Sequence, residues 1–225
     1  MPEEARPFLR LAIRELKLSP TPQTKIRSKG SRENIWPELR VLTTGMGQGN
    51  ARAAFTAALM ETTPSMVLTC GFAGGLAPQL RLGDLASSVD EGFVGAAALR
   101  AAGAKPARFH CADRVAITPE EKTALRAASG ADVVEMESSV IRSICRERGI
   151  PSATVRVISD TADESLPLDF NALMTADYQM HYGRLAWQLV RNPGKIPELI
   201  RFQKRVTFAA QRLAETLVKV LVTVR

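Results

Sequence analysis

Aromatic side chains are scarce in this chain of 225 residues, at 5% of the total, and cysteine and histidine number only three and two. The shortage of aromatics removes the stacking rings on which a single-stranded nucleic-acid platform is built. Lys and Arg outnumber Asp and Glu by 30 to 23, but they are scattered and form no continuous basic face. The formal charge of +7 therefore favours anionic ligands or surfaces in general and argues against a nucleic-acid partner. Cys70, Cys111 and Cys145 are far apart and odd in number. They offer no disulfide framework and no metal-ligand spacing, which fits a reducing compartment. No apolar run reaches the length of a membrane span, and no charged-then-apolar leader opens the chain. Cytoplasm is the expected location. His110 and His181 lie outside every motif below.

What is present is a substantial apolar fraction, 45%, enough to specify a globular core. The length suits a single domain over residues 1–225. Residues 20–35 are rich in turn formers and read as a loop or hairpin. Strands are expected at 39–45 (LRVLTTG), 66–71 (MVLTCG), 83–89 (GDLASSV), near Val133 and at 153–159 (ATVRVIS). Helices are expected at 50–60, 119–128 and 138–148. Thr118 suits the N-cap of the second, with Pro119 in its first turn. Strands alternating with helices imply an α/β fold, a mixed, largely parallel central sheet flanked by helices in a three-layer sandwich. From Phe170 onward two helices are expected, broken near Asn192-Pro193-Gly194. The last, at about 195–225, is amphipathic and basic. Such a helix packs on a domain edge or touches an acidic membrane surface.

Four polar or glycine-rich stretches fall where the expected strands end: TGMGQGN (44–50), CGFAGG (70–75), EMES (135–138) and SDTAD (159–163). Open α/β sheets bind ligands at such ends. Each stretch has an ordinary explanation. Glycines make tight turns, carboxylates complement a helix start, and Asp160 could cap a helix. Together, the four suggest one pocket. The glycine spacing in 44–50 is GxGxG and no lysine follows, so it is neither a dinucleotide fingerprint nor a P-loop.

In this order, TGMGQGNA, CGFAGGLAPQLRLGDL, VVEMES and VRVISDTAD resemble the purine nucleoside phosphorylase and nucleosidase superfamily over roughly residues 1–170. The nearest look is to 5′-methylthioadenosine/S-adenosylhomocysteine nucleosidases and to hopanoid-associated phosphorylase-like proteins. The resemblance implies hydrolysis of the N-ribosidic bond of an adenosine-type nucleoside, with no metal and no organic cofactor; a region between Asp84 and Asp113 shorter than the family's, with the basic tail, leaves room for a bulky 5′ substituent. The resemblance implies that Glu137 accepts hydrogen bonds from ribose hydroxyls, that Met136 packs on the sugar, and that Asp160 helps protonate the purine. Glu4, in MPEEARPFLR, matches the carboxylate that positions the attacking water. Glu135, Phe72, Ala73, Gly74, Val115, Ser159 and Arg156 complete the expected binding residues, Arg156 orienting the acidic cluster. The resemblance also implies a homodimer.

Three departures shape those expectations. The chain starts at the first turn, so the family's first strand is expected to be missing. Val115 stands where an aromatic residue would stack on the base. Thr69 and Phe72 stand where phosphorolysis needs an arginine and a small hydroxyl residue, which favours water as the nucleophile. Three alternatives make different predictions. A phosphorylase requires phosphate, a non-catalytic binder holds nucleoside without turnover, and a membrane-associated scaffold needs its C-terminal helix.

Overall fold

The computed structural model describes residues 39–175 and 177–223, together with two strands ahead of them, at 18–20 and 25–28. Glu4 and the first-strand expectation lie outside these residues. Strands β1 (Leu18–Pro20), β2 (Lys25–Ser28) and β3 (Leu39–Arg40) pair antiparallel in a small sheet of their own. The strand expected over 39–45 is therefore much shorter, and its two residues pair with β2 instead of the central sheet. Helix α1 (Gln48–Glu61) follows from Gly47, whose φ of 87° suits glycine.

The central sheet contains β4 (Val67–Gly75), β5 (Leu85–Val89), β6 (Lys105–Pro106), β7 (Phe109–Cys111), β8 (Val133–Glu135) and β9 (Ser152–Asp160). Their order is β6-β5-β9-β4-β8-β7. The β4–β9, β5–β6 and β7–β8 pairs are parallel; the β4–β8 and β5–β9 pairs are antiparallel. The sheet is thus mixed, as expected for the α/β class. Strand β4 runs on through Gly71, Phe72 and Ala73 to Gly75, so the glycine-rich stretch is strand and not loop.

Every residue of β9 is buried, and its alternation sets the two faces apart. Ala153, Val155 and Val157 join Leu85 in a core closed by α2 (Ala96–Ala101) and by Leu213 and Leu217 from the C-terminal helix. Thr154 and Arg156 point to the other face. There, α1 packs against α4 (Ser138–Glu147) through Phe55, Leu59, Ile141 and Ile144. Each such apolar side chain contributes about 1.5–3 kcal/mol by leaving water.

Helix α3 (Pro119–Ser129) has the expected Thr118 cap. The Glu121 N–H donates to the Thr118 hydroxyl at 3.3 Å, and the Thr118 N–H donates to the Glu121 carboxylate at 3.4 Å. Satisfying two otherwise orphaned donors fixes the start of the helix. After β9 come α5 (Phe170–Leu173), α6 (Tyr182–Arg191) and α7 (Lys195–Thr223). The expected break at 192–194 separates α6 from α7, and a second interruption separates α5 from α6.

Candidate active site

The ladder around Gly74 assembles the site. Gly74 pairs with Val134 on one side and with Asp160 on the other, across a register shift between Ala73 and Gly74. A Cβ at Gly74 would stand 3.1 Å from a Val134 methyl and 3.2 Å from Asp160 Oδ2. That space is tighter than a side chain normally accepts, so glycine is what lets the ends of β8 and β9 flank β4 this closely.

Beyond β8, the chain delivers Glu135, Met136 and Glu137 before α4 begins. Glu135 is buried and saturated with donors. One oxygen accepts from the backbone N–H groups of Glu137 and Ser138, at 3.0 and 2.7 Å; the other accepts from the Ser138 hydroxyl at 2.8 Å. Arg156, from the polar face of β9, donates to the first oxygen at 2.7 Å. Burial pushes the Glu135 carboxyl up, but the Arg156 charge and these donors outweigh it and hold it below its ordinary value. Glu135 therefore works from behind, holding the turn and Arg156 in place.

Glu137 is only partly buried. Its two oxygens accept from the Gly47 N–H at 2.9 Å and from Arg156 at 3.4 Å. These bonds join residues 44–50 to the 135–138 turn, and that turn to β9. Met136 lies buried between the two carboxylates in sequence. Cys111 stands beside Glu135. Burial, then the Glu135 charge, push its thiol up to about 11, so it remains a protonated neighbour and not a nucleophile.

Asp160 has a different partner. Its Oδ2 lies 2.6 Å from Nζ of Lys122, whose side chain is 0% exposed. Lys122 also donates to the carbonyls of Thr161 at 2.7 Å and Glu164 at 2.8 Å. The Ser159 hydroxyl donates to Asp160 Oδ1 at 2.7 Å and lies 3.3 Å from the Ala73 carbonyl. Sequence reasoning missed Lys122. It lies three residues before Leu125 and four before Arg126, but between Glu121 and Thr123 it reads as a surface lysine. Its position on the inward face of α3 was the sole signal.

Phe72 and Thr69 are also resolved by the strand alternation. Phe72 pairs with Val157 and packs into the core under α2 and α7, on the face opposite Arg156. It is thus not brought together with Glu135, Glu137 and Arg156. The Thr69 hydroxyl is bonded to that of Thr154 at 2.7 Å in a buried pair. Val115 is held by Asn171 of α5, which donates to its carbonyl and accepts from its N–H, both at 2.9 Å. Tyr178, at φ 56°, is a second residue the sequence did not flag. Its ring would meet a Cβ on Gly47 at 3.0 Å, and its hydroxyl donates to the Asp113 carbonyl at 2.8 Å. Asn50 donates to the Asp177 carbonyl at 3.0 Å. The segment after β9 therefore closes against both 44–50 and 113–115.

The model of the phosphorylase superfamily matches residues 1–110 and 95–191. Among solved structures, futalosine hydrolase of Helicobacter pylori aligns at 21% identity with a TM-score of 0.63, over 99% of this chain and 94% of that one. The 5′-methylthioadenosine/S-adenosylhomocysteine nucleosidase of Neisseria meningitidis, in complex with methylthio-immucillin-A, aligns at 17% identity and a TM-score of 0.65, over 99% and 96%. The corresponding nucleosidase of Campylobacter jejuni aligns at 18% and 0.63, over 98% and 94%. At these identities the likeness is one of fold.

Proposed function

The chain belongs to the phosphorylase superfamily, and from that premise we propose that it hydrolyses the N-ribosidic bond of an adenosine-type nucleoside with a bulky 5′ substituent. The observation that carries this reading is the pair of anchored carboxylates around Gly74: Glu137 held by Gly47 and Arg156, and Asp160 held by Lys122. Bond cleavage leaves positive charge on the sugar and electron density on the base. Glu137 answers the first need, accepting ribose hydroxyls and stabilising the sugar cation. Asp160 answers the second, helping to pass a proton taken up from water to the departing purine ring nitrogen.

Each of these carboxylates is matched with a cation. Asp160 therefore acts by placing the proton as the base departs. Glu4 is proposed to position the attacking water, and Ala73, Gly74, Met136 and Val115 to line the nucleoside. Water is favoured over phosphate because the Thr69 hydroxyl is spent on Thr154 and Phe72 faces the core. We place the activity in a homodimer, which light scattering would test.

The deciding assay is base release from a panel of adenosine derivatives, with and without phosphate. Phosphate-independent release is expected, falling about 100- to 10,000-fold in Asp160→Asn, the usual range for losing a general acid. Strict dependence on phosphate would make the protein a phosphorylase. Saturable binding without release would make it a nucleoside-binding protein.

A further inference from the structure

Helix α6 buries none of its residues, although it is far from purely polar. Tyr182 is 76% exposed, Trp187 59% and Val190 75%. Tyr182, Ala186 and Val190 follow one another at four-residue spacing, so they form one stripe, with Trp187 beside it. Its other apolar side chains, Leu185 and Leu189, are partly buried on a different face. After the 192–194 break, the first turns of α7 repeat the pattern with exposed Ile196 and Ile200. Farther along, α7 changes character: Leu213, Ala214, Leu217 and Val220 are buried in the core. The start of α7 thus presents exposed apolar side chains next to α6, while its later turns bury most of theirs.

The charge on this hairpin has one sign. Arg184, Arg191, Lys195, Arg201, Lys204 and Arg205 face a single acid, Glu198, between residues 182 and 205. Glu198 pairs with Lys195, and Arg205 turns inward to Glu164. Among the described residues, Arg191, Arg201 and Lys204 have no carboxylate within ion-pair distance. The Arg191 guanidinium lies 4.6 Å from the centre of the Trp187 ring, placing a cation on an exposed indole. No described helix is long and apolar enough to cross a membrane. Exposed Trp and Tyr flanked by Arg and Lys match what a lipid–water boundary selects, with rings at headgroup depth and cations at the anionic surface.

We propose that α6 and the start of α7 form a docking surface for an anionic lipid bilayer, bound in the interfacial plane. The charge complementarity singles out lipid over a second copy of this chain, whose same face would bring like charges together. The inference does not depend on the nucleosidase reading, because it concerns a surface outside the carboxylate site.

The experiment is flotation of the full chain with vesicles of phosphatidylcholine alone, and of phosphatidylcholine with an equal share of phosphatidylglycerol, at low and high salt. Binding is expected only to the anionic vesicles, and is expected to weaken with salt. Each of Arg191→Gln, Arg201→Gln and Lys204→Gln should weaken it about fivefold. Trp187→Ser combined with Val190→Ser should weaken it about tenfold or more, while the melting temperature and circular dichroism of the protein without vesicles stay unchanged. In a Trp36→Phe background, Trp187 emission should shift to the blue on binding. Equal binding to both vesicle types, no flotation, or insensitivity to salt would overturn the proposal. So would light scattering showing a dimer that the Trp187→Ser/Val190→Ser protein cannot form, which would make the face an interface between copies.

Discussion

Two walls of the candidate site each set a carboxylate against a buried cation, yet they are built in opposite ways. In the first, Arg156 rises from the middle of β9 and serves two carboxylates at once, Glu135 at 2.7 Å and Glu137 at 3.4 Å. Backbone N–H groups share the load. In the second, Lys122 comes from a helix outside the sheet and is the one cation paired with Asp160 among the described residues. The Arg156 wall is redundant, since Glu135 keeps three donors if the arginine leaves. The Lys122 wall has no second cation among the described residues, and only the Ser159 hydroxyl besides Lys122 donates to Asp160 there. A charge without a replacement partner is the costly kind to disturb.

Breaking the second wall should have the largest effect. Lys122→Met leaves Asp160 buried and unmatched, so unfolding by urea should show a loss of about 3–5 kcal/mol. Adding Asp160→Asn to that variant should recover part of the loss, because the uncompensated charge is gone. If the double variant is as unstable as the sum of the singles, Lys122 matters for packing alone. Arg156→Lys sharpens the comparison from the other side. It keeps a charge but loses the planar reach to two carboxylates, and should cost about 1.5–3 kcal/mol, the scale of a hydrogen bond to a charged group.

The smallest effect is one of pH. The Glu135 carboxyl is held below its ordinary value of 4.5. Its contribution is therefore complete above that value and is lost as pH falls through the lower folded-state value. Melting temperature measured from neutral pH downward should fall below about 4.5 more steeply in the parent than in Glu135→Gln. Parallel curves would remove Glu135 from the account.

The same contrast explains what could be read in advance. Strand β9 was legible from the apolar run at 153–159, while Arg156 and Asp160 drew attention through the polar stretch at its end and the family resemblance. Glu135 and Glu137 taken alone fit an ordinary helix start; the four stretches together, and the resemblance they carry, singled them out. Thr118 and Pro119 marked the start of α3. Lys122 was not legible, because a lysine after two glutamates has the pattern of a solvated helix face. Phe72 was assigned to the site by the family resemblance alone. In a continuing strand, its side chain instead follows Val157 into the opposite core. The expected strand at 39–45 is cut to two residues because its partner is the short β2 and not the central sheet.

The Lys122 ammonium has one further consequence. It carries three N–H bonds, and it has three oxygens around it, from Asp160, Thr161 and Glu164. With every proton committed and the side chain sealed from solvent, the back of Asp160 is a dead end for proton traffic. On the proposed reading, the proton that Asp160 passes to the base therefore arrives and departs on the side away from Lys122.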